Sequence, residues 1–384
     1  MTEPSILQAV ATATRLREGP EGVAAILRAV YRAGSLRLQD AAREARLPMP
    51  VASAIRRELE KAGLLERKQG LSLSPEGRDF VERDLGLGSK IDLACPTCAG
   101  HGIVIPDKFR PLVERLAAIV AQAPSVDVTL DQAPCTPDTA MRRALLMLQN
   151  GALEGRRVLL LGDDDSVSLA IGLLGQAQGG RDLTRGVTVV DADERRLAFL
   201  RHSAEQGGIA LQTVLHDLRQ PLPEALKRGF DVFETDPPYT LDGARLFLTR
   251  GCEALAAGGQ CLFSFAQWPA PQMLQLQQVF CDLGLAVQTM RPGFNHYAGA
   301  TVLGNVGQLI ELIAVNPSGA ELPTWDGPLY TAQVNPRLRA YQCAQCGAEI
   351  VLGRDGAPDT VEALKAKGCA SCGGTVFRRQ SQKP

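Results

Sequence analysis

The chain has 384 residues, enough for two or three domains at roughly 100–200 residues each. Its 45% hydrophobic and 22% charged residues exclude a disordered chain. With 41 Lys+Arg against 42 Asp+Glu the net charge is −1, which excludes a general polyanion binder. No stretch approaches the roughly 20 uninterrupted apolar residues that span a bilayer. The start has no basic stretch followed by an apolar one, so a cytoplasmic location is expected. There, C-x-x-C pairs point to metal or redox chemistry rather than to a disulfide framework.

Residues 1–90 read as a winged helix-turn-helix. Val23–Ala33 and Leu38–Leu47 carry apolar residues at helical spacing. Pro50 opens a third helix, Val51–Ala62, which Gly63 ends. A small hairpin is expected around Gln69 and Gly70, then a last helix through FVERDLG. Such a module can bind DNA through its third helix. Its positive charge is modest, however, and phosphate neutralisation dominates nucleic-acid affinity. Packing against the catalytic domain or a second subunit is therefore the favoured reading, with no nucleic acid bound.

Residues 91–135 form a connector that opens with CPTCAGHG. Residues 136–315 alternate short β-rich runs (VLLLG, VTVVD, TVLHD, FDVFETD, QCLFSF) with helical stretches. That alternation predicts a doubly wound, Rossmann-like α/β sheet. The later runs AVQTM and QLIELIAV are expected to form an antiparallel edge pair. Residues 316–384 hold little periodic structure and two Cys pairs.

Ligands of such sheets lie beyond the carboxyl ends of the strands. Here those ends carry Gly162-Asp163-Asp164-Asp165, Asp191 with Asp193, Asp217, and Asp236-Pro237-Pro238-Tyr239. A phosphate site would be lined with amides and cations instead. Carboxylates at every strand end suit a nucleoside without phosphates and a cationic substrate. Two prolines fix the backbone of the D-P-P-Y loop and preorganise its acceptors for an amine.

This order resembles the class I methyltransferase-like fold shared with aminopropyltransferases. The resemblance implies that Asp191 accepts the ribose hydroxyls and Asp217 the adenine amino group of the donor. One departure is informative: Leu160 stands where methyltransferases carry an acidic residue, and Asp164 and Asp165 replace later glycines. Three adjacent aspartates would repel the tail carboxylate of S-adenosylmethionine in a partly desolvated cleft. Decarboxylated S-adenosylmethionine has lost that group. The loop is also similar to that of spermidine synthases, which implies that Asp165 holds the donor's ammonium.

GDDD, DPPY, the N-terminal module, CPxCxGxG, LDQxxxTPxT and FNHY together resemble branched-chain polyamine synthases over roughly residues 20–315. The resemblance implies transfer of aminopropyl groups from decarboxylated S-adenosylmethionine to the secondary amine of spermidine. The products are N4-aminopropylspermidine, then N4-bis(aminopropyl)spermidine, with 5′-methylthioadenosine released. Gly162, Asp163, Asp165, Asp191, Asp193 and Asp217 are then expected at the donor. Glu234, Pro237, Tyr239, Asn295 and His296 are expected on the polyamine side, closed by Phe294–Tyr297. Asp163 and Tyr239 would also help Glu234 hold the flanking amines.

A polyamine amine arrives protonated, because its pKa is about that of lysine, ~10. Asp236 and Asp164 are therefore the expected catalytic pair, sharing deprotonation and orientation. Thr136 with Pro137 and Asp138 reads as a helix start, while Asp131 and Gln132 could reach the cleft. Two readings compete: an S-adenosylmethionine-dependent N-methyltransferase acting on a nucleic-acid base, and a winged-helix regulator sensing a polyamine. A second copy of the chain is expected as partner, and no membrane.

Cys343-x-x-Cys346 and Cys369-x-x-Cys372, each followed by Gly, have the spacing of two zinc knuckles. One structural Zn²⁺ in a zinc-ribbon-like segment is expected. Cys95 and Cys98 alone lack two ligands, which His101 or a dimer mate could supply, and a plain turn held by Pro96 and Gly100 is an equal alternative.

Overall fold

The computed structural model describes residues 5–379, apart from 46, 68–69, 88–94, 96, 99–100, 179–182, 299–305, 316–323, 335–338 and 353–360. The hairpin residue Gln69 and the turn residues Pro96 and Gly100 lie outside the described residues. Seven strands form the central sheet. They are β1 (Arg157–Leu161), β2 (Gly186–Asp191), β3 (Gln212–Leu215), β4 (Phe230–Thr235), β5 (Leu255–Ala266), β6 (Leu285–His296) and β7 (Val306–Ala314). Their order is β3-β2-β1-β4-β5-β7-β6. β1 to β5 run parallel, and β7 inserts antiparallel between β5 and β6. The order reverses between β1 and β4, which opens a crevice at their carboxyl ends.

The apolar runs explain the layers. Val158, Leu159, Leu160 and Leu161 of β1 are all fully buried, as a central parallel strand covered on both faces requires. Helices α1 (Pro137–Gln149), α2 (Val167–Ala177) and α3 (Glu194–Gly207) pack on one face. Helices α4 (Leu241–Ala254) and α5 (Ala270–Asp282) pack on the other. Thr136 caps α1 by accepting from the Thr139 amide, with Pro137 at the first helical position.

The connector is more than a linker. A helix at Arg110–Val120 buries Val113 and Leu116, and Ile105 and Phe109 join them in the core shared with α1 and α2. The chain after 315 also returns to the catalytic domain. The Trp325 amide donates to the Arg219 carbonyl at 2.8 Å, and Thr240 donates to the Leu329 carbonyl at 2.9 Å. Leu329 and Tyr330 are buried against Leu246.

The N-terminal residues form their own core around Val23, Ile26, Leu27, Ile55 and Leu59. Helices Gly19–Ala33, Leu38–Glu44 and Met49–Lys61 surround a three-stranded sheet of Ser35–Leu36, Leu65–Arg67 and Leu71–Leu73. The third helix begins two residues earlier than its pattern suggests. Pro48 and Val51 at its start face Ala266–Pro269 of the catalytic domain across a cavity of about 330 Å³. Around the C-terminal cysteines, Arg339–Cys343, Glu349–Leu352 and Phe377–Arg379 pair into a small sheet. Among the described residues no helix is long and apolar enough to cross a membrane.

Gly251 of α4 lies directly against β4: a Cβ there would lie 2.3 Å from the Phe233 ring. Gly251→Ala should therefore cost ~1–3 kcal/mol, the usual range for overpacking. The shift of the denaturation midpoint measures it.

Candidate active site

The turn after β1 is made by Gly162, whose φ of +75° suits glycine. The three aspartates that follow then diverge. Asp163 turns inward and is 2% exposed. It accepts from the Val167 amide at 2.7 Å, the Ser168 amide at 3.2 Å and the Ser168 hydroxyl. It thus seats the start of α2, and burial pushes its carboxyl up to about 7. Asp165 also turns inward, accepting from the Cys135 amide and from Arg143 Nη1 at 2.5 Å. Asp164 is the half-buried one of the three, with its Oδ2 accepting from the Ala133 amide at 2.8 Å.

Arg143 organises the opposite wall. Its guanidinium is fully buried, on the stripe of α1 that also carries Ala140 and Met147. Nη1 donates to Asp165 and to Glu234 at 3.0 Å, and Nη2 to Asp236 at 2.9 Å. Nε donates to the Asn295 side-chain oxygen at 2.9 Å. Burial opposes the charge, but Asp165, Asp236 and Glu234 more than offset it and keep the guanidinium protonated. Glu234 and Asp236 meet the same arginine because residues two apart on a strand share a face.

One cation faces three carboxylates, Asp165 and Glu234 buried and Asp236 half-buried, so the cluster retains proton affinity. Burial raises Glu234 well above the ordinary carboxylate range, against the pull of Arg143. Asp236 is pushed up to about 6 by burial, with Arg143 and the Tyr297 hydroxyl holding it down. Tyr297 donates to the same Asp236 oxygen at 2.7 Å. Burial raises Asp164 well above its usual value, and Asp165 and Asp236 add to that. Asp164 and Asp236 therefore feel one another across the crevice.

The donor-side carboxylates lie at the ends of β2 and β3. Asp191 accepts from the Asp193 amide at 2.8 Å and the Asp163 amide at 3.4 Å, and burial raises it. Asp193 caps α3 and binds Arg195 and Gln132. Burial raises Asp193, but those hydrogen bonds win and leave it below its usual value. Asp217 behaves likewise, with burial outweighed by a bidentate pair to Arg219. Asp131 accepts from the Thr331 amide at 2.6 Å, and so anchors the returning segment beside the cleft.

The FNHY run divides its tasks. Asn295 is fully buried and fixes Arg143, also donating to the Gln308 carbonyl at 2.9 Å. Tyr239 lies edge-on to Phe265, with ring centroids 5.2 Å apart, and Pro237 is buried beneath the loop. His296 faces His101 rather than the carboxylates, with Nε2 atoms 3.2 Å apart. Burial, then Arg142, His101 and Arg43, lowers His296 to about 4. Arg143 belongs to none of the motifs above. Its signal was present: an arginine on an otherwise apolar helical stripe.

Residues 111–350 match the branched-chain polyamine synthase A C-terminal domain. The chain belongs to the branched-chain polyamine synthase family. An N(4)-bis(aminopropyl)spermidine synthase of Thermus thermophilus is 33% identical, covering 68% of this chain and 72% of that protein. One from Methanocaldococcus jannaschii is 32% identical over 65% of this chain and 70% of its own. An uncharacterized protein of the same archaeon is 35% identical over 97% of this chain and 92% of that one. The crystal structure of the Thermus thermophilus branched-chain polyamine synthase with N4-aminopropylspermidine and 5′-methylthioadenosine superposes with a TM-score of 0.67. It is 29% identical, covering 85% of this chain and 98% of that one.

Removing the clamp should expose its role in this family member. Arg143→Met leaves three buried carboxylates without their cation, at a cost of ~3–5 kcal/mol. Their folded-state proton affinity rises further above the unfolded value. The deficit should therefore be small near pH 5, where protons replace the guanidinium, and grow toward pH 8. Denaturant unfolding at the two pH values checks the sign.

Proposed function

We propose that this chain is an aminopropyltransferase that builds branched polyamines, taking decarboxylated S-adenosylmethionine as donor and the secondary amine of spermidine as acceptor. The observation that carries the reading is the facing pair of half-buried carboxylates, Asp164 and Asp236, within a family whose relatives carry that name. The adenosine is assigned to Asp191 and Asp217, with Gly162 and Asp193 shaping the turn and helix start beneath it. Asp163 and Asp165 support the donor loop from within.

On the acceptor side, Asp236 takes the proton of the attacking amine, and Asp164 attracts and orients the same nitrogen. The nitrogen lone pair then forms a bond to the methylene carbon next to the sulfonium. The carbon–sulfur bond breaks, its electrons return to sulfur, and 5′-methylthioadenosine leaves. A second transfer starts from a tertiary amine, which must likewise give up its proton to Asp236 before it attacks, and ends on a quaternary ammonium that has no proton left to lose. Glu234 and Asn295 act through Arg143, while Pro237 and Tyr239 shape the wall against the polyamine chain.

The N-terminal unit is assigned as a winged helix whose third helix is turned toward its own catalytic domain. That placement argues against DNA binding. The four C-terminal cysteines are assigned as a zinc ribbon. Their sulfur atoms all lie within 4.8 Å of one another, with Cys343–Cys372 at 3.6 Å and Cys346–Cys369 at 3.7 Å. Tetrahedral zinc with bonds of about 2.3 Å spans roughly 3.8 Å between ligands.

Four measurements test these assignments. Spermidine incubated with decarboxylated S-adenosylmethionine should gain the mass of one or two aminopropyl groups. A methyl gain from S-adenosylmethionine instead, or no gain, would overturn the reading. Asp236→Asn and Asp164→Asn should each lower turnover by at least ~10²-fold, the low end for losing a general base. Binding of 5′-methylthioadenosine should survive both changes, whereas Asp191→Ala should weaken it by ~1.5–3 kcal/mol. Cys369→Ser should remove one zinc per chain by elemental analysis.

A further inference from the structure

Among the described residues three arginines are almost fully buried: Arg143, Arg196 and Arg250. Two of them are neutralised where they stand. Arg143 sits among its carboxylates, and Arg250 donates to Glu253 at 2.7 Å and to the Leu218 carbonyl at 2.9 Å. Arg196 is only 1% exposed, yet its buried Nε and Nη1 have no hydrogen-bond partner among the described residues. Its guanidinium carbon lies 5.8 Å from the centre of the Phe199 ring, which gives the cation a face to pack on but no acceptor. A buried charge without a partner is strongly destabilising, so its surroundings must offset it.

The first turn of α3 shows where that offset comes from. Arg195 turns back to the helix cap and donates to Asp193 at 2.8 Å. Arg196 instead joins the buried face of α3, with Leu197 and Leu200. It follows Asp193 by three residues, one turn along the same side of the helix. The Asp193 amide donates to Asp191 at 2.8 Å, which sets the arginine close beneath that carboxylate.

Asp191 spends its oxygens on the amides of Asp193 and Asp163, and Asp164 spends one on the Ala133 amide. The guanidinium forms no ion pair with either. Its charge still reaches both, because it counters the rise that burial imposes on each carboxyl. These are the two groups assigned above to the adenosine and to the attacking nitrogen.

We propose that Arg196 is a specificity-determining residue of the donor pocket that acts through space rather than by contact. Its unpaired charge offsets part of the field of Asp164 and Asp191, and so limits how far the pocket prefers the cationic donor over the neutral product. The inference rests on the donor assigned under the proposed function. Decarboxylated S-adenosylmethionine carries an ammonium and a sulfonium, whereas 5′-methylthioadenosine carries neither. A positive charge beneath the pocket penalises the first and is indifferent to the second.

Calorimetric titration of the full chain with each ligand at pH 8 tests this. Arg196→Met removes the charge and keeps an apolar stem. It should tighten decarboxylated S-adenosylmethionine about tenfold relative to 5′-methylthioadenosine, the order expected on removing one buried unit charge near a dication. Arg196→Lys keeps the charge and should keep the wild-type ratio. An unchanged ratio in Arg196→Met would overturn the inference. Equal weakening of both ligands would overturn it as well, by making Arg196 a contact of the nucleoside. So would a ratio that shifts as far in Arg196→Lys, where the charge is retained. If Arg196→Met does not fold, Arg196→Gln keeps a polar head at that depth and the same ratio is read from it. Failure of the donor assignment looks different: the wild-type chain would then not bind decarboxylated S-adenosylmethionine, and the inference would fall with it.

Discussion

A buried guanidinium surrounded by three carboxylates is costly unless each partner is hydrogen-bonded. Arg143 meets that condition through Asp165, Glu234, Asp236 and Asn295. These partners come from the first-strand loop, β4, the D-P-P-Y loop and β6. One side chain of α1 thereby fixes the relative positions of every segment that forms the acceptor wall. Asp236, the proposed proton acceptor, is held in place by that network.

This network also divides the carboxylates by role. A row of acidic strand ends suggests a uniformly anionic pocket for a polycation. Asp163 and Asp165 instead spend their oxygens on α2, on Cys135 and on Arg143. Among the strand-end carboxylates, Asp164, Asp191 and Asp236 combine partial exposure with raised proton affinity. For a reaction that must collect an ammonium and then take its proton, that combination is the useful one. A carboxyl near 6 is ionised at neutral pH, yet basic enough to accept a proton transiently.

Much of this could be read from residues alone. The β-rich runs gave the strand sequence, and Gly162 and the paired prolines marked the loops at the switch point. Thr136 announced the start of α1. What escaped was long-range. Arg143 stands on an apolar stripe, but its partners come into view when α1 is laid across the carboxyl ends of β1 and β4. The inward turn of Asp163 and Asp165, against the outward Asp164, depends on backbone angles that three identical letters do not encode. The connector helix Arg110–Val120 carries apolar residues at helical spacing, but nothing local says which core they join, whereas the returning segment Trp325–Tyr330 is too short to show a period. Their burial is supplied by the core of another segment. His296 was read with its neighbours in FNHY, but alternation along β6 sends its ring away from Asn295 and toward His101.

The central claim is that Asp236 is the proton acceptor and that Arg143 and Tyr297 together set its proton affinity. Tyr297→Phe removes one hydrogen bond to the Asp236 carboxylate and leaves Arg143 in place. The most direct measurement is the pH dependence of kcat/KM for aminopropyl transfer in wild type and in this variant. In wild type the acid limb should fall near the Asp236 value of about 6. In Tyr297→Phe it should move up by about one pH unit, because the ionised form has lost a donor. An acid limb that stays in place, or moves down, would contradict the account.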